Sequence, residues 1–253
     1  MSRYWMRSEV ERVSGRAITA AVAALTAVAT LGVRPSHAQD QQPERASGCY
    51  FAGGVDALEK GDLDLAEREF RGALKAFPGL LEARENLAIT WARKGELNEA
   101  VEELKGILTD WPKRAEAHYN LGLVLLQKDH THGALEHFRR AVELNPAYPE
   151  ARNNLGLALE KAGDVGGALA EFHEAVRPNP RYAEALNNLG HLLAEKGEID
   201  AAIAVYRAAL GARPDFTEAR LNLGSASWKN HELEPAKHEL RTAAAFSVCP
   251  VWP

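Results

Sequence analysis

Proline recurs at strict steps of 34 residues, at Pro78, Pro112, Pro146, Pro180 and Pro214. Alanine keeps the same step from Ala66 through Ala100, Ala134, Ala168, Ala202 and Ala236. A period of that length constrains the fold before any local propensity is weighed. Each repeat is one supersecondary unit that buries its apolar face only by stacking on its neighbours. Six such units start at residues 47, 81, 115, 149, 183 and 217. The composition, 46% hydrophobic and 26% charged, is that of a globular chain and excludes a disordered or collagen-like one.

Within each unit, apolar residues at positions 3, 7 and 11 and again at 20, 24 and 27 predict two amphipathic helices. Position 24 reads Phe70, Leu104, Phe138, Phe172, Tyr206 and Leu240, and position 27 is small or β-branched throughout. A glycine turn separates the helices, as at Lys60-Gly61-Asp62, Lys94-Gly95-Glu96 and Lys196-Gly197-Glu198. Small residues at positions 8, 20 and 27 let helices approach where a larger side chain would overpack. The repeat-end proline stops the second helix.

The pattern resembles the tetratricopeptide repeat (TPR) family over residues 47–248, with residues 39–46 as a linker and 249–253 as a short tail. The resemblance implies an all-α fold, a right-handed α-α superhelical solenoid of six repeats. It also implies that the first helix of each repeat lines a concave groove, with positions 2, 5, 6, 9, 12 and 13 the most open to it. Position 6 is asparagine in five successive repeats: Asn86, Asn120, Asn154, Asn188 and Asn222. An amide carries donors and an acceptor and can grip a peptide backbone without reading its sequence. Such a ladder resembles the groove of the TPR arm of O-linked N-acetylglucosamine transferases. Plain framework packing explains the same residues equally well. Asn153 and Asn187 at position 5 extend the polar row, while Tyr119, Leu123 and Leu157 form a candidate apolar anchor for a side chain. Position 2 is glutamate in five repeats, Glu82, Glu116, Glu150, Glu184 and Glu218, either an acidic rail or first-turn helix stabilisation.

The expected partner is therefore a protein or peptide. Residues 1–38 carry five arginines and two glutamates, and the remainder has 25 basic against 33 acidic residues. So acidic a domain lacks the electrostatic footprint for nucleic acid. Residues 17–33 are an apolar run behind an arginine-bearing segment, followed by Ser36-His37-Ala38. That order predicts a secretory signal cleaved after Ala38, hence export to a periplasm or beyond and no transmembrane segment in the mature chain. An uncleaved anchor through 17–33 is the alternative. Cys49 and Cys249 sit at opposite ends of a solenoid, too far apart for an intrachain disulfide.

No nucleophile elbow, phosphate loop or paired-carboxylate signature is present, so no catalytic residue and no cofactor is expected. His130 and His132 form a His-x-His turn without a specified further ligand, and no metal site is expected there. The last repeat carries His231 in place of the turn glycine, and it leaves Leu240, Phe246, Val248, Val251 and Trp252 without a polar cap. That end is expected to self-associate or dock. Two functions remain open: a non-catalytic peptide-binding scaffold, or the substrate-recognition arm of an enzyme such as a glycosyltransferase.

Overall fold

The computed structural model describes residues 42–248, and those residues contain twelve α-helices and no strand. The signal, the cleavage site, Cys249, Val251 and Trp252 lie outside the described residues, as do the side chains of Phe246 and Val248. The helices are α1 (Gln42–Lys60), α2 (Leu63–Ala76), α3 (Leu81–Lys94), α4 (Leu97–Asp110), α5 (Ala115–Gln127), α6 (Thr131–Leu144), α7 (Pro149–Lys161), α8 (Val165–Val176), α9 (Ala183–Glu195), α10 (Ile199–Ala212), α11 (Thr217–Lys229) and α12 (Leu233–Val248). They pair as six helical hairpins at the predicted period. The chain divides into two compact units, one ending at Arg140 and the other beginning at Ala141, so that the division falls within α6.

Every hairpin turns in the same way. A residue in the left-handed region follows the first helix: Gly61, Gly95, Asp129, Gly163, Gly197 and His231, with φ between 61° and 88°. The next residue returns its N–H to a carbonyl five positions back, as in Asp62 to Ala57, Glu96 to Trp91 and Asp164 to Leu159, each at 2.9 Å. This is the Schellman closure, which satisfies carbonyls the helix end would otherwise leave bare. Asp129 and His231 hold the conformation without glycine's freedom. Asp62 and Asp164 then cap the second helix, accepting from Leu65 N and Gly167 N at 3.1 and 2.9 Å.

The core of a hairpin is a large residue at position 24 set against a bare backbone at position 8. A Cβ on Gly122 would lie 2.6 Å from Phe138, one on Gly156 2.6 Å from Phe172, and one on Gly190 2.7 Å from Tyr206. In the second repeat the backbone carries Ala88, and Leu104 takes the aromatic's place, both fully buried. In the first unit, Phe51, Val55, Leu58, Phe70 and Leu87 form one buried cluster and Leu104, Ile107, Leu121 and Val124 belong to another. In the second, Tyr182 packs on Ala175 and Ala185, and Leu186 on Ala209 and Ala219. Burial of Leu, Ile and aromatic side chains contributes about 1.5–3 kcal/mol each and is what holds the short helices.

Candidate functional site

Position 5 is interior in five of the six repeats, and this corrects the expectation that it faces a ligand. Tyr119 is 0% exposed and its ring lies 5.9 Å from that of Phe138. It is a core residue and offers no anchor surface. Leu123 is buried beside it, and only Leu157 of the expected apolar trio is partly open. Asn153 and Asn187 are buried as well, whereas Leu221 at the same position of the last repeat is exposed.

The asparagine row divides in two. In the second unit it is stitched to itself: Asn188 donates to Asn153 Oδ1 at 2.9 Å, and Asn222 donates to Asn187 Oδ1 at 3.0 Å. Asn187 in turn donates to Glu218 at 3.2 Å. Asn154 donates to the Glu150 carbonyl at 2.9 Å. The bonds of Asn187, Asn188 and Asn222 tie successive first helices together, the framework role, while that of Asn154 stays within its own helix. In the first unit, Asn86 donates to the Glu82 carbonyl of its own helix at 2.7 Å. The side-chain carbonyls of Asn86 and Asn120 have no donor among the described residues, although the two residues are only 3% and 6% exposed. A buried acceptor without a donor costs about 1–3 kcal/mol.

The glutamate row is not a bare acidic rail. Glu184 accepts from Arg213 at 2.5 Å, and Glu116 lies 3.3 Å from Arg114. The buried acid Glu85, at position 5, receives both forks of Arg114 at 3.0 Å. Burial pushes the Glu85 carboxyl above its ordinary range, and Arg114 pulls it back only in part.

Positions 4 and 23, nineteen residues apart, meet across four of the hairpins in a way the sequence reading missed. Arg84 pairs with Glu103 at 2.5 Å, Arg152 with Glu171 at 2.9 Å and Arg220 with Glu239 at 2.8 Å. In the fifth repeat the same positions are apolar, Leu186 lying in a buried cluster against which Val205 packs. In the third, His118 Nδ1 lies 3.0 Å from His137 Nδ1. His118 Nε2 is 3.2 Å from the Pro112 carbonyl and must donate to it. Its Nδ1 therefore accepts, from the N–H of His137, which requires the His118 ring to be neutral. Burial lowers the pKa of both rings, and for His137 the neighbouring His118 and Lys105 add to the effect while Glu136 opposes it. Arg140 also faces His118 and lowers it further.

In the pH window below about 6.5 the unfolded chain thus binds more protons than the folded one, so stability falls as pH falls through that window. The loss is complete once pH passes below the depressed folded values. Urea midpoints measured against pH should show this decline, and the double exchange His118→Arg/His137→Glu, which installs the neighbouring repeats' pair, should flatten it. An unchanged slope in that variant would assign the decline elsewhere.

Among the described residues, one set of metal-competent side chains comes together. Glu160 at the end of α7 and His191 and Glu195 on α9 bring one ligand atom each to within 4.8 Å of one another. His191 Nε2 is 3.9 Å from Glu160 and 3.5 Å from Glu195. The expected turn histidines do not take part: His130 and His132 are exposed, and His132 pairs with Glu136 at 3.3 Å. No helix among the described residues is long and apolar enough to cross a membrane.

The family model described as "Tetratricopeptide repeat" matches residues 51–115, 119–183, 161–216 and 187–240. No curated protein matches the chain. Among solved structures, a crystal structure of MamA is similar at 30% identity and a TM-score of 0.55, over 64% of this chain and 94% of that one. A thermophilic TPR protein of Thermus thermophilus is 26% identical with a TM-score of 0.62, over 72% and 98%. The pilF protein of Pseudomonas aeruginosa shares the fold at 20% identity and a TM-score of 0.72, over 82% and 95%.

Proposed function

The chain belongs to the tetratricopeptide repeat family, an all-α protein-interaction fold, and from that premise we propose that it is an exported, non-catalytic scaffold that holds an extended segment of a partner protein on its first-helix face. The observation that carries the reading is the pair of buried side-chain carbonyls of Asn86 and Asn120 that find no donor among the described residues. A partner's backbone N–H groups relieve that deficit once docking displaces the side chains that cover those oxygens, which gives affinity without sequence preference. The stitched asparagines Asn188 and Asn222 of the second unit hold the framework and contribute little to the ligand. Export rests on the charged and apolar order of residues 1–38.

A second reading has its own support. Leu221, Trp228, Leu233 and Leu240 are exposed on the last hairpin, Trp228 by 56%. Leu240 is 36% exposed, while its counterparts Phe70, Leu104, Phe138 and Phe172 are fully buried. An apolar terminal face of this kind suits docking on another protein.

A peptide array probed with the purified chain separates the two. Asn86→Ala/Asn120→Ala is expected to weaken binding about five- to 150-fold with helicity unchanged, since each of the two lost hydrogen bonds is worth about 0.5–1.5 kcal/mol. Asn188→Ala is expected to lower stability and leave affinity intact. Binding that survives the first double variant but is lost in Leu221→Ser/Trp228→Ser would move the contact to the terminal hairpin.

A further inference from the structure

We propose that Glu160, His191 and Glu195 form a binding site for a divalent transition-metal ion, with zinc as the natural probe. The three residues occupy positions 12 of one repeat and 9 and 13 of the next. The equivalent triangle elsewhere holds Leu58, Ile89 and Arg93, or Ala92, Leu123 and Gln127, or Ala194, Ser225 and Lys229. The framework therefore needs no ligand-bearing side chains at these places. Where the position-13 residue has a visible framework role, it is a donor: Arg93 donates to the Leu58 carbonyl at 2.8 Å and Gln127 to the Ala92 carbonyl at 3.5 Å. Glu195 cannot donate, so the fourth and fifth repeats have exchanged a fold-supporting contact for an acceptor.

Charge points the same way. Neither Glu160 nor Glu195 is ion-paired with a lysine or arginine among the described residues, and the imidazole of His191 stands within reach of both. Glu160 is half-buried, so its carboxylate is held in place at the edge of the hairpin. Two carboxylates facing one imidazole gather acceptor atoms and negative charge at a point where a divalent cation is accommodated. The i, i+4 spacing puts His191 and Glu195 on one face of α9, and Glu160 reaches them from α7. Zinc takes imidazole and carboxylate ligands at about 2.0–2.2 Å, so its tetrahedral ligands stand about 3.3 Å apart. The separations of 3.5 and 3.9 Å approach that figure. The exposed Glu195 side chain has the freedom to close the set once a cation offsets carboxylate repulsion. The fourth position opens to solvent, where water or a group from another molecule completes it.

Calorimetric titration of the full, tag-free chain with zinc chloride tests this, alongside cobalt titration followed by absorbance. One equivalent should bind saturably, and cobalt should give visible d–d bands without thiolate charge transfer. His191→Ala and Glu160→Gln should each weaken zinc at least about tenfold, while His130→Ala/His132→Ala and Cys49→Ser should leave it unchanged. Glu195→Gln, at an exposed position, provides a variant that does not endanger the fold, and circular dichroism checks helicity in each. Absence of saturable binding would overturn the proposal. So would zinc affinity that survives His191→Ala, or that is lost with Cys49 or the His130–His132 turn. Since peptide binding rests on Asn86 and Asn120 in the other unit, either reading can fail without the other.

Discussion

Phe172→Ala should destabilise the second unit by about 3–5 kcal/mol, the range for emptying a buried aromatic site. The ring is fully buried and lies over Gly156, where even a Cβ would come within 2.6 Å of it. Helix backbone cannot move inward to fill the void without shifting the whole hairpin, so little of the cavity collapses. The same close approach makes the reverse change informative. Gly156→Ala gains about 1 kcal/mol of helix propensity but forces the ring aside, at about 1–3 kcal/mol. With Phe172→Leu in place, the alanine should cost nothing, because Ala88 over Leu104 is the packing the second repeat already uses. Urea midpoints of the four members of this cycle should give a coupling of about 1–2 kcal/mol. Equal alanine costs in both backgrounds would show that the ring is not what the glycine accommodates.

Arg114→Leu should be nearly as severe for the first unit. It strands Glu85, a carboxylate only 7% exposed, without its bidentate donor. Breaking a fully buried pair costs about 3–5 kcal/mol, and partial exposure of Arg114 brings the figure down to about 2–3. The sign of the pH dependence identifies the cause. Burial holds the Glu85 pKa above its unfolded value, so the folded chain binds the extra proton and stability falls as pH rises through that window. Removing Arg114 lifts the folded value further and widens the window. The variant should therefore recover stability on acidification toward the ordinary glutamate range near about 4.3. Glu85→Leu/Arg114→Leu should recover it at every pH, since a buried pair replaced by apolar side chains is nearly neutral. A variant equally destabilised at all pH values would mean that Arg114 acts through packing alone.

The architecture was legible in the sequence because proline, alanine and glycine act locally. Pro112 or Gly95 ends a helix wherever it stands, and a 34-residue recurrence leaves one arrangement for the pieces. The candidate site was less so. Asn187 and Leu221 share a repeat position, yet one is sealed and the other bare, because α11, with Glu218 and Asn222, packs against Asn187. Asn86 and Asn188 are the same residue at the same position. What separates them is the residue at position 5 of the preceding repeat: Asn153 supplies an acceptor to Asn188, whereas Phe51, its counterpart before Asn86, has no polar atom to offer. The Glu160–His191–Glu195 set was invisible for a related reason, the two α9 residues lying 31 and 35 positions beyond Glu160 on a separate hairpin.

The contacts between positions 4 and 23 bear on how such a chain can change over generations. Arginine with glutamate, histidine with histidine, and leucine with valine occupy one geometric slot, and each partner is tolerable only opposite its own mate. A recombination joint placed inside a hairpin would set Arg152 against Val205, a guanidinium on an aliphatic wall with no carboxylate in reach. A joint in the proline-bearing connection between hairpins would carry both mates together. Insertion, deletion and shuffling are thereby restricted to whole 34-residue cassettes cut at the prolines, and the half-cassette is not a viable unit of inheritance.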